Sequence, residues 1–188
     1  GASGASELGA LRRPQVLLTF LFASIGFGGM FAVFSYIAAT ATEAAGLPER
    51  FVPVILAIFG AGMIVGNVAG ARLADRALMP AIAGLMAFNV AVMVVFALTA
   101  HSPVMLCLCV FLIGCGVALA PAVQTRLMDV AGDAQTMAAS SMHAAFNIAN
   151  AAGAWLGGMA IAAGYGYAAT GWVGAVLALA GLAVFGLS

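Results

Sequence analysis

Residues 140–158 read SSMHAAFNIANAAGAWLGG, a histidine and two asparagines at helical spacing inside an otherwise apolar run. Extending the register gives Thr136, Ser140, His143, Asn147 and Asn150, which step by four, three, four and three residues. At 3.6 residues per turn these side chains fall within about 80° of arc, so the segment reads as a helix with one polar stripe. The solvent decides what such a stripe means. Of 188 residues 65% are hydrophobic and 6% are charged, and the mean hydropathy is +1.17. That composition belongs in a bilayer. Hydrocarbon offers no hydrogen bonds, so the stripe must face protein or a wet cavity. Contacts between helices would satisfy any single Asn or Ser. The whole stripe, with its ionisable histidine, is expected to line a cavity or an inter-domain face.

Six arginines balance six acids and there is no lysine, which points to neither a nucleic-acid surface nor a long-range field for charged ligands. Cys107, Cys109 and Cys115 lie in one apolar run without a Cys/His set at metal spacing, so they read as packing thiols. Neither metal nor cofactor is expected. The leader GASGASELGALRRP, residues 1–14, lacks the basic-then-apolar order of a signal peptide and reads as a flexible linker. A chain opening in this way is expected to be a piece of a longer protein.

Spanning hydrocarbon takes about 20 apolar residues. Breaks carrying Pro, Gly or charge fall at 42–50, 72–80, 100–103, 128–135 and 164–167. Between them lie six apolar segments, at about 15–42, 51–72, 80–100, 104–127, 135–163 and 168–187, which predicts an all-α membrane bundle of six spanning helices over residues 15–188. Long continuous apolar runs exclude a strand barrel. Arg12, Arg13, Arg72, Arg76 and Arg126 fall on one side of such a path and Arg50 on the other, so both termini are expected in the cytoplasm. Phe59, Gly66 and Gly70 share their spacing with Phe146, Gly153 and Gly157, a faint sign of two inverted three-helix repeats.

Small residues four apart let another backbone come close. Gly62, Gly66 and Gly70 in the second segment, and Ala149, Gly153 and Gly157 in the fifth, are such grooves. They fit a sliding interface between bundles, and equally static packing within one. In the first segment Phe20, Phe27, Phe31 and Phe34 share an arc with Ser24 at its edge, which suits either a wall for a hydrophobic or amphipathic substrate or a lipid-facing or packed surface. Tyr36 reads as a cavity hydrogen-bonder or an interface aromatic, Asn89 as glue between helices. Pro121, three residues before Gln124, should bend the fourth segment. Glu43, Glu49, Asp75, Asp129 and Asp133 all sit at segment ends or in loops, so no carboxylate lies deep in the membrane to carry protons. The sole GxSG string of the kind used by intramembrane serine proteases is 1–4, in the leader, and no enzyme is expected.

GARLADR at 70–76 resembles the degenerate second copy of the loop motif G-x-L-A-D-R-x-G-R-[RK] of the major facilitator superfamily. Ala71 replaces its leading glycine, Arg72 to Arg76 match, and Ala77 to Pro80 lose the basic tail. With GFGGMFAVFSYIA at 26–38 and HAAFNIANAAGAWLGG at 143–158, the chain from about Leu11 onward resembles the carboxyl-terminal six helices of the drug:proton antiporter group, which includes arabinose-efflux and chloramphenicol-resistance permeases. The resemblance implies half of a twelve-helix transporter that exports a small neutral or amphipathic molecule by alternating access in a bacterial inner membrane. Its partner would be the missing amino-terminal half, or a second copy of this chain, and that missing half would carry the proton site. Ser24, Phe27, Phe31, His143, Asn147 and Asn150 would then meet substrate, Arg72, Asp75 and Arg76 would latch the cytoplasmic side, and Gly62, Gly66, Gly153 and Gly157 would form the bundle interface. A non-transporting or self-associating six-helix module is the alternative. A solute channel fits less well, because paired Asn-Pro-Ala motifs are absent.

Overall fold

The computed structural model describes residues 4–188, so residues 1–3, and with them most of the GxSG string, lie outside it. Among the described residues there are helices and turns and no strand. We label them α1 Gly4–Ala10, α2 Pro14–Phe34, α3 Val52–Arg76, α4 Leu78–Thr99, α5 Pro103–Ala131, α6 Gln135–Ala162 and α7 Ala169–Phe185. Prolines open α2, α3 and α5, where a missing N–H costs nothing, and Ser102 Oγ accepts from Met105 N–H at the start of α5. The turns before α3 and α6 contain Gly46 at φ 70° and Gly132 at φ 61°, left-handed positions that favour glycine.

Four helical stretches, Pro14–Phe34, Glu49–Arg76, Leu78–Thr99 and Pro103–Ala131, are long and apolar enough to cross a membrane. The other two expected spans form helices as well. The stripe makes the 28-residue α6 less apolar, and α7 is apolar but has only 17 residues.

Two of the predicted rods are broken. α2 is interrupted at Phe27 between Gly26 and Gly28, and past Phe34 it continues only as the short turns Ile37–Ala39 and Thr40–Ala44. α5 tightens at Gly116–Ala118. Pro121 has no N–H for the carbonyl of Val117, so the bend appears one turn before the proline itself. The leader also departs from a flexible linker, because residues 4–10 are helical and Ala10 is buried.

Glycine contacts fix the directions of the helices. A Cβ at Gly66 would lie 2.5 Å from the Cys115 carbonyl oxygen, Gly62 abuts Phe111 and Gly70 abuts Ala118, so α3 and α5 run parallel at backbone contact. In the same way Gly153 abuts Gly28 and Gly157 abuts Ala32 and Tyr36, so α6 runs parallel to α2. α7 crosses α2 antiparallel through Gly174 on Gly29 and Gly181 on Gly26, and packs antiparallel on α4 through Gly171 on Ala97. Gly66 and Gly153 are separated by as many positions as Gly28 and Cys115. The seam of α3 on α5 and the seam of α6 on α2 therefore coincide when the first three long helices are laid on the last three.

The core forms two stacked clusters. One, around Phe22, Ile82, Met86, Leu119 and Leu127, lies towards the end that carries Arg13, Arg72, Arg76 and Arg126. The other, around Ile55, Phe96, Leu106 and Val110, lies towards the opposite end, where Arg50 sits. A void of about 10 Å³ lies between Phe27, Asn89, Met93, Ile113 and Gly116, at the level of both helix breaks.

Candidate functional site

Thr136, Ser140, His143, Asn147 and Asn150 are all exposed on the bundle surface, while Ala138, Met142, Ala145, Ala149, Gly153 and Gly157 on the other side of α6 are buried. Among the described residues none of the five has a side-chain hydrogen bond. The helix therefore spends its small residues on contact with α2 and turns its polar ones outward. Left against acyl chains, these groups would lose their hydrogen bonds to water without replacement, a cost of several kcal/mol for each group of this kind.

The first helix corrects two expected substrate contacts. Ser24 is 5% exposed and its Oγ donates to the Phe20 carbonyl at 2.8 Å. Phe27 is 2% exposed and stacks on Phe146 with ring centroids 4.6 Å apart. Phe27 and Phe31, one turn apart, both meet Phe146, so this part of the arc is the packed seam with α6 and not an open wall. Phe31 stays half-buried, edge-on to Phe146 at 6.3 Å and beside Gly153. On α6 those two neighbours bracket Asn147 and Asn150. Phe34 instead stacks on Phe59 at 4.7 Å.

The glycines expected at a bundle interface are likewise inside this bundle. Gly62 and Gly66 face the α5 backbone, and Gly153 and Gly157 face α2. A surface already in contact within the chain is not free for a second bundle.

Arg72, Asp75 and Arg76 are exposed at the end of α3, and none of them is in an ion pair among the described residues. Arg76 suits the negative end of its helix, and Asp75 there does not.

Three contacts were not foreseen. Arg13 Nη1 donates to the carbonyls of Ala131 at 2.9 Å and Val130 at 3.5 Å, closing the end of α5. Arg126 Nη2 donates to Gln15 Oε1 at 3.1 Å, a second tie between the start of α2 and the end of α5. The sequence placed these arginines on one side of the membrane but named no partner for them. Tyr36 Oη donates to the Ala154 carbonyl at 2.6 Å and lies over Gly157 and Gly158, so it joins α2 to α6. Asn89 packs on Gly116 where α5 tightens.

No protein-family model matches the chain. Curated relatives do. The inner membrane transport protein YdhP of Escherichia coli (strain K12) is 34% identical over 181 residues, 95% of this chain and 46% of its own length. The chloramphenicol resistance protein of Streptomyces lividans is 35% identical over 148 residues, 78% of this chain and 38% of its own length. The uncharacterized MFS-type transporter YfhI of Bacillus subtilis (strain 168) is 30% identical over 155 residues, 82% and 39%. The chain thus spans less than half the length of these relatives. An all-helical membrane chain with these relatives along most of its length belongs to the major facilitator superfamily of transporters.

Proposed function

We propose that the chain is the carboxyl-terminal half of a secondary active transporter that exports a small neutral or amphipathic organic molecule, such as a drug or a sugar, against an inward flow of protons. In this reading α2 to α7 all span the bilayer, as two inverted three-helix repeats. The coincidence of the two glycine seams supports that arrangement. The arginine-rich end faces the cytoplasm of a bacterial inner membrane, and both termini lie there. An amino-terminal six-helix bundle covers the α6 stripe, and the two bundles rock about the gap between them.

His143, Asn147 and Asn150, with Phe31 at their edge, contact substrate in that gap. Arg72, Asp75 and Arg76 latch the cytoplasmic side in one state of the cycle. The proton-binding carboxylate belongs to the other bundle, since the acids of this chain from Glu43 onward sit at helix ends or in loops.

One observation carries the proposal: five polar side chains of an otherwise apolar chain are exposed on one face of α6 and have no side-chain hydrogen bond among the described residues. Co-expressing the chain with a six-helix amino-terminal half tests it, with drug uptake measured in inside-out vesicles. Saturable uptake that follows an imposed pH gradient is expected only with both halves present, and should be lost in His143→Leu. Equal uptake by this chain alone, or flux that does not saturate, would contradict it.

A further inference from the structure

At the end opposite the arginine cluster, α4, α6 and α7 do not close on one another. A cavity of about 500 Å³ opens there, with His101, Tyr165 and Trp172 in its wall and alanines of all three helices' ends behind them. It shares Trp172 and Val173 with a second cavity of about 330 Å³, which continues along α6 and α7 past Leu156, Val176 and Leu177. Together they form one groove, polar where the helices end and aliphatic where they enter hydrocarbon. Val176 lies one turn beyond Trp172, about 6 Å deeper along α7.

The polar end has a defined donor and acceptor pattern. His101 Nδ1 lies 3.3 Å from the Ala44 carbonyl oxygen. A carbonyl only accepts, so Nδ1–H is the donor in this contact, and the tautomer that carries its proton there leaves the Nε2 lone pair free. The Tyr165 phenol and the Trp172 indole N–H supply donors, and both rings attract cations to their faces. Among the described residues neither a carboxylate nor an arginine lines either cavity. An acceptor beside aromatic rings suits an ammonium that still carries N–H groups, and the two donors suit a phosphate next to it.

We propose that this groove is a phospholipid site selective for a primary-ammonium headgroup, that of phosphatidylethanolamine. The ammonium donates to His101 Nε2, the phosphate accepts from Tyr165 and Trp172, and one acyl chain lies in the aliphatic run between α6 and α7. A choline headgroup has no N–H for His101, and a glycerol headgroup has no cation. The site lies beyond Leu156, whereas the α6 polar stripe ends at Asn150. It requires only a membrane and stands whether or not the chain transports anything.

The two tryptophans of the chain, Trp155 and Trp172, provide the test. Trp155→Phe leaves Trp172 as the sole indole, and acyl-brominated lipids quench its fluorescence on contact. The purified chain in maltoside micelles is titrated with brominated phosphatidylethanolamine, phosphatidylcholine and phosphatidylglycerol. Quenching by phosphatidylethanolamine should saturate near one lipid per chain, with the other two requiring roughly tenfold more lipid. His101→Leu should remove the preference, and His101→Asn, which restores an acceptor, should recover part of it. His101 is exposed, so neither variant threatens the fold. Quenching that rises without saturation and ignores the headgroup would overturn the proposal, as would a preference that survives His101→Leu.

Discussion

Replacing Gly66 with alanine adds one carbon, and the structure says where it goes. The new Cβ would sit 2.5 Å from the Cys115 carbonyl oxygen, 2.8 Å from its Cα and 2.9 Å from its carbonyl carbon, all backbone atoms that no rotamer change can move. Ordinary contact needs about 3.5 Å or more, so α3 must retreat from α5 by roughly 1 Å along this seam. Overpacking of this kind costs about 1–3 kcal/mol. Gly60, on the same helix, is the control, because a Cβ there meets nothing within 4 Å. Gly60→Ala should gain up to about 1 kcal/mol from helix propensity. Gly66→Ala shares that propensity gain, so the two variants should differ by the overpacking alone, roughly 1–3 kcal/mol, in reversible unfolding of the chain in mixed micelles, followed by far-ultraviolet circular dichroism. If Gly66→Ala proved as stable as Gly60→Ala, α3 would not rest on the α5 backbone, and the glycine groove would again be free for a second bundle.

Other substitutions separate packing from function. The triple change His143→Leu, Asn147→Leu, Asn150→Leu should leave unfolding of the chain alone within about 0.5 kcal/mol, because these side chains are exposed and make no side-chain hydrogen bond among the described residues. The same triple variant should abolish pH-driven uptake once the amino-terminal half is present. Tyr36→Phe removes the bond to the Ala154 carbonyl and should cost about 1 kcal/mol in the same unfolding assay, with no change in helix content. Arg13→Gln withdraws the guanidinium from the end of α5 and should speed amide exchange at the α5–α6 turn, read by mass spectrometry, while the opposite end of the bundle keeps its protection.

What could be read from the chain follows from how each signal arises. Helix type and the outward stripe of α6 depend on local period and on the cost of polar groups in hydrocarbon, and both are written in consecutive residues. The seams are not. Gly62, Gly66, Gly153 and Gly157 announce that some backbone will come close, but Cys115 and Gly28, which fill those grooves, are distant in sequence. Ser24 and Phe27 were misplaced for a related reason. Local period groups them on one arc but does not say what covers it: Ser24 is buried and bonds the Phe20 carbonyl, and the ring that covers Phe27 is Phe146 on another helix. Arg13 shows the same limit at the arginine-rich end, where a charge rule places the residue and only the three-dimensional chain supplies the Ala131 carbonyl.

The interruptions of α2 and α5 have a mechanical consequence. Each lies at mid-height, beside the same small void and between two separately packed clusters, so neither rod is uniformly stiff. Bending concentrates where the hydrogen-bond ladder is already irregular. α2 and α5 therefore flex most easily at this level, whereas α3, α4, α6 and α7 cross it as unbroken helices and tie the two clusters together.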